Sequence, residues 1–146
     1  MNYDKVEILF VEDSLDDATL TIRALTKGGF ANKLHHVLDG AEALDFMYCK
    51  GKYEARKKEE YPRLILLDLK MSKVSGIQVL EKLKSDPAFN RIPIVMLTSS
   101  NEGPDIEKCY ALGANSYIVK PVDSDNFFKA IRDIGLYWLV LSQNSE

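Results

Sequence analysis

Five short, largely apolar runs recur along the chain, and each of the first four is followed by a stretch of helical periodicity that leads to the next. The runs are VEILFV (6–11), KLHHVL (33–38), RLILLD (63–68), IPIVMLTSS (92–100) and ANSYIVK (114–120). Most are nearly continuous in apolar residues rather than alternating, the pattern of strands buried on both faces. Strict alternation of strand and helix implies a parallel sheet with helices on both sides. The expected fold is therefore α/β, a doubly wound five-stranded parallel sheet. The 146 residues suit a single domain, with a core over about 5–140 and no length left for an output domain.

The helical stretches carry their own punctuation. Ser14 is a candidate N-cap, with Leu15, Ala18, Ile22 and Leu25 at helical spacing before Gly28-Gly29 stops the helix. Asp39 caps a second helix with Ala41, Leu44 and Met47 on one face. GIQVLEKLKSD turns Ile77, Leu80 and Leu83 inward and ends before Pro87. PDIEKCYALG ends at Gly113, and Asp123 or Ser124 opens a last helix with Phe127, Ile131, Ile134, Trp138 and Leu141. Residues 50–62, KGKYEARKKEEYP, are charged and lack an apolar face. They read as a solvated helix end plus loop, or as a partner-recognition element.

Several classes of function are disfavoured at once. The formal net charge of −3 argues against a nucleic-acid binder, which would carry a basic face. No apolar run reaches membrane-spanning length, and MNYDKVEILF has acids ahead of its apolar stretch, unlike a signal peptide. Cys49 and Cys109 lie far apart without a CxxC, and read as reduced thiols on helices in a cytoplasmic protein.

Polar residues fall at equivalent places. Glu12-Asp13 end the first strand, Asp68 the third, Thr98 the fourth and Lys120 the fifth. In an open parallel sheet the carboxyl ends share one edge, and ligands bind there where the strand order reverses. In the flavodoxin-like order 2-1-3-4-5, known for sheets of this class, the first and third strands are neighbours. Glu12, Asp13 and Asp68 then meet in one cleft. Three carboxylates together repel one another unless cations offset them. Lys120 is one cation, and a hard divalent ion such as Mg²⁺ is another. Carboxylates, divalent ion, lysine and hydroxyl make a set suited to phosphoryl transfer onto an aspartate.

ILFVEDSLDD, LILLDLKMSKVSG, IVMLTSS and YIVKPVD together resemble the receiver domain of two-component response regulators. Within that family the chain looks most like single-domain regulators paired with bacterial phytochrome-type histidine kinases. VEDSLDDA, the long connection before the third strand, DPAFNRIPIVMLTSS and IGLYWLVL carry that narrower likeness. The resemblance implies that Asp68 is the phospho-acceptor. It implies that Glu12, Asp13, Asp68 and the backbone carbonyl of Lys70 hold Mg²⁺. Thr98 would bond the acyl phosphate, Lys120 would pair with Asp68 or its phosphate, and Tyr117 would be the aromatic switch. It also implies a cis Lys120-Pro121 bond. Lys70 stands where the family usually has Asn and Ser72 where it has Pro, which puts the dephosphorylation rate in question.

LYWLVL (136–141) is apolar almost all round. An association surface using Tyr137, Trp138 and Leu141 follows as an expectation, as a homodimer across the fourth helix, fifth strand and fifth helix or as a partner interface. Three other functions compete with the phospho-switch. A degenerate receiver would bind partners constitutively. A Mg²⁺-dependent aspartyl phosphatase would need a second acid two positions after Asp68, where Lys70 stands. A flavin carrier would need a Ser/Thr/Gly-rich phosphate loop after the first strand, where EDSLDD stands.

Overall fold

A computed structural model describes residues 6–30, 33–71, 73–99 and 103–136. Its elements alternate as expected: β1 (Ile8–Val11), α1 (Leu15–Lys27), β2 (Leu34–Val37), α2 (Gly40–Tyr48), β3 (Leu64–Asp68), α3 (Gly76–Lys84), β4 (Ile94–Thr98), α4 (Gly103–Ala111), β5 (Ser116–Val119) and α5 (Ser124–Asp133). A single 3-10 turn, Gly51–Tyr53, follows α2. The strands form one sheet in the order β2-β1-β3-β4-β5, and every pairing is parallel. Each strand is shorter than its apolar run, because the flanking residues leave the ladder to enter loops.

The two faces of the sheet make two cores. Leu9 and Val11 join Ile65, Leu67 and Met96 beneath residues of α2, α3 and α4, whereas Ile8 and Phe10 join Leu66 and Val95 beneath α1 and α5. This is the period-two alternation of a strand covered on both sides. Caps fix where the helices begin. Ser14 accepts from the Asp17 N–H, Asp39 from Glu42, Ser75 from Gln78 and Asp123 from Asn126. Each satisfies an amide that a helix start leaves without an intrahelical partner.

Three local expectations need correction. Leu15 is 65% exposed, whereas Ala18, Thr21 and Leu25 are buried and Ile22 packs partly buried against the same core. The buried residues of α2 are Gly40, Ala43, Phe46 and Met47, with Leu44 partly buried against the same core and Ala41 at its edge. The close approach of Gly40 sets that phase: a Cβ there would stand 2.1 Å from the Val74 carbonyl oxygen.

Residues 50–62 are not merely a solvated loop. Tyr53 is buried, and its ring meets Phe46 edge-on at 5.1 Å. Its hydroxyl donates to Glu42 Oε2 at 2.6 Å and lies 2.8 Å from His35 Nε2. A tyrosine has one hydroxyl proton, so with that proton on Glu42 the His35 Nε2–H is the donor to Tyr53. Arg56 lays its guanidinium 3.8 Å from the Phe46 ring centroid and donates to the Phe46 and Glu60 carbonyls. Two side chains that looked polar in sequence therefore clamp the segment onto α2. Cys109 is buried in α4, and Cys49 is the left-handed cap of α2 at φ 56°. Tyr137, Trp138 and Leu141 lie outside the described residues.

Candidate functional site

The strand order brings β1 and β3 side by side, with Val11 opposite Leu67. The residues that follow or close them, Glu12, Asp13 and Asp68, therefore converge at the carboxyl edge. Each offers one carboxylate oxygen, and these oxygens all lie within 4.8 Å of one another. Glu12 is fully buried and Asp68 is 5% exposed, whereas Asp13 faces solvent. Thr98 is buried at the end of β4, beside β3. Its carbonyl accepts the Lys120 N–H at 2.7 Å, which ties the ends of β4 and β5 together.

Lys120 enters the cleft through a cis Lys120-Pro121 bond, as the resemblance implied. Its Nζ lies 2.8 Å from Glu12 Oε1, 3.0 Å from Asp17 Oδ2 and 3.3 Å from Asp68 Oδ1. The ammonium thus faces three carboxylates and donates a hydrogen bond to Asp17. Burial acts to lower the Lys120 pKa, but Glu12, Asp17 and Asp68 outweigh it and hold the group above the ordinary lysine value. Asp68 moves the other way from a typical carboxylate. Burial first, and then the neighbouring Glu12 carboxylate, push it up to about 7 against the pull of Lys120. One lysine does not offset this much negative charge in a desolvated cleft.

The loops hold this edge in place. Gly76 opens α3 directly beneath Asp68, and a Cβ on it would sit 2.0 Å from the Asp68 carbonyl oxygen. The Gly76 N–H bonds the Leu69 carbonyl at 3.1 Å, and the Leu69 N–H bonds the Leu97 carbonyl at 2.8 Å. From β2, His36 Nε2 reaches the Glu12 backbone carbonyl at 2.7 Å. Lys70 is exposed in the loop after β3, and Ser72 lies outside the described residues. Tyr117 is half-buried on β5 opposite Met96, two residues below the level of Thr98, and meets Tyr110 of α4 edge-on at 5.7 Å.

Every acid, hydroxyl and cation expected at the strand ends is thus at one edge. Asp17 and His36 were not anticipated. Asp17 carried one faint signal, an acid a helical turn beyond Glu12-Asp13. His36 carried none, since its contact follows from strand pairing. The donor set fits a hard divalent cation: oxygen ligands, two of them buried, with an exposed third at an open edge.

The receiver domain of response regulators defines this arrangement, and its family pattern matches residues 8–132. The chain belongs to that family. Its relatives include the response regulator Rcp1 of Synechocystis, 36% identical over 90% of this chain and 88% of that protein. Another is the probable methanogenesis regulatory protein FilR2 of Methanothrix harundinacea, 34% identical over 93% of this chain and 85% of that one. Among solved structures, the bacteriophytochrome response regulator RtBRR is 46% identical with a TM-score of 0.83, covering 90% of this chain and 79% of that one. The bacteriophytochrome response regulator AtBRR is 44% identical with a TM-score of 0.81, covering 90% and 94%. A Mn²⁺-bound form of Rcp1 has also been solved, with a TM-score of 0.72 to this chain.

Proposed function

We propose that this chain is a phosphorylation-activated response regulator that takes its phosphoryl group on Asp68 from a histidine kinase of the phytochrome type. The observation that carries the reading is the convergence of Asp68, Glu12 and Asp13 with Lys120, whose Nζ stands 3.3 Å from the Asp68 carboxylate. The likeness to AtBRR, RtBRR and Rcp1 supports the choice of kinase class.

In the transfer, a carboxylate oxygen of Asp68 attacks the phosphorus of a phosphohistidine. The P–N bond breaks, a P–O bond forms, and the imidazole leaves. Glu12, Asp13, Asp68 and the Lys70 carbonyl would hold Mg²⁺, which when bound supplies positive charge against the phosphoryl oxygens. Lys120 would supply further positive charge, and the Thr98 hydroxyl would donate to a phosphoryl oxygen. Thr98 sits at the β4 end and Tyr117 on the adjoining strand, so movement of Thr98 toward the phosphate opens space that Tyr117 can enter. The face of α4, β5 and α5 then presents a different surface to a partner or to a second copy of the chain.

The test is intact mass after incubation with acetyl phosphate and Mg²⁺. One phosphoryl group should be added to the wild-type chain, and none to Asp68→Asn or in the absence of Mg²⁺. Stoichiometric labelling of Asp68→Asn would place the acceptor elsewhere. Turnover of phosphate esters would favour the phosphatase reading instead.

A further inference from the structure

We infer that Asp17 is a positioning residue of the phosphorylation site, a carboxylate that holds the Lys120 ammonium and gives it up when Asp68 carries a phosphoryl group. The inference rests on the proposed role of Asp68 and extends it to a residue outside the metal-binding acids. Among the three carboxylates around Lys120, Asp17 at 3.0 Å is nearer than Asp68 at 3.3 Å. The lysine proposed to neutralise the phosphoryl group is therefore held more closely by two other acids than by the acceptor.

Those two acids are not equivalent. Glu12 has a fully buried side chain, while the Asp17 side chain is 44% exposed. Asp17 and Lys120 also line a cleft of about 300 Å³ with Leu20, Thr21, Ser99, Pro121 and Val122. An ammonium proton that turns to a phosphoryl oxygen must leave a carboxylate. Leaving Glu12 strands a charge in the protein interior, which is costly. Leaving Asp17 exposes a charge that cleft water can hydrate, which costs little. Asp17 is fixed for this exchange from below, because its backbone N–H bonds the Ser14 cap at 3.2 Å. Its neighbour Asp16 is exposed on the same turn and carries the same charge, but Lys120 does not pair with it.

Removing the Asp17 charge should make Lys120 more available to a phosphoryl group. Beryllofluoride, which mimics the phosphoryl group without chemistry, is the direct probe, titrated by calorimetry at saturating Mg²⁺. Asp17→Asn is expected to bind it about 2- to 5-fold more tightly than wild type, the range of one partly exposed ion pair. Asp17→Glu, which keeps the carboxylate, should restore wild-type affinity, and Asp16→Asn should leave it unchanged. Unchanged or weaker binding by Asp17→Asn would overturn the assignment. So would an equal gain in Asp16→Asn, which would reduce the effect to general surface charge. Failure of the wild-type chain itself to bind beryllofluoride would overturn the receiver reading and the Asp17 role together.

Discussion

Replacing Asp68 by Asn should stabilise the metal-free protein at pH 8. The native Asp68 carboxyl is raised from 3.8 to about 7, first by burial and then by the Glu12 carboxylate beside it. The native state therefore binds a proton between these values that the unfolded chain has released. Stability from this group is highest below pH 4, falls as the pH rises toward 7, and is level above that. At about 1.4 kcal/mol per pH unit, the ionised Asp68 costs roughly 4 kcal/mol at pH 8. Relaxation of the cleft and entry of water reduce this, so a gain of about 2–4 kcal/mol is expected for Asp68→Asn. Asn fills nearly the same space, and Lys120 keeps Glu12 and Asp17 as partners. Urea unfolding of both chains at pH 4 and pH 8 in EDTA gives the difference, which should be present at pH 8 and nearly absent at pH 4. Added Mg²⁺ should shrink the pH 8 difference by stabilising the wild type more than the variant. A variant no more stable than wild type at pH 8 would refute the view that Asp68 is held ionised against its surroundings.

Other substitutions test the supports of the site. Gly76→Ala places a Cβ 2.0 Å from the Asp68 carbonyl oxygen and should cost about 2 kcal/mol or more in urea unfolding while weakening Mg²⁺ binding. Tyr53→Phe removes the bonds to Glu42 and His35, and should cost about 1–3 kcal/mol by the same assay. Arg56→Ala should release residues 50–62 from α2, seen as faster tryptic cleavage at Lys57 and Lys58 with unchanged phosphoryl uptake at Asp68. His35 is held below its ordinary pKa, chiefly by burial, so the native state takes up its proton less readily than the unfolded chain. Its contribution is complete above about pH 6.5 and is lost as the pH falls. Replacement of His35 by Gln should flatten that acid limb of the stability curve.

The fold was legible because a parallel sheet buried on both faces writes itself as apolar runs, and because Ser14, Asp39 and Asp123 mark helix starts in the chemistry of their side chains. The site was legible for a related reason. Glu12, Asp13, Asp68, Thr98 and Lys120 each interrupt an apolar run at its carboxyl end, and topology alone carries strand ends to one edge. What stayed hidden depends on reach across the fold rather than on position along the chain. Asp17 is 103 residues from Lys120, and nothing at either position names the other. Tyr53 and Arg56 looked like parts of a charged loop because each carries its polar atoms at the end of a flat or apolar body. Such side chains can bury their bodies against Phe46 and still satisfy their polar tips. The phase of α2 was misread for want of the Val74 carbonyl that fits only against Gly40. Local pattern thus located the groups that converge at the sheet edge, but not the neighbours that set how tightly Lys120 is held.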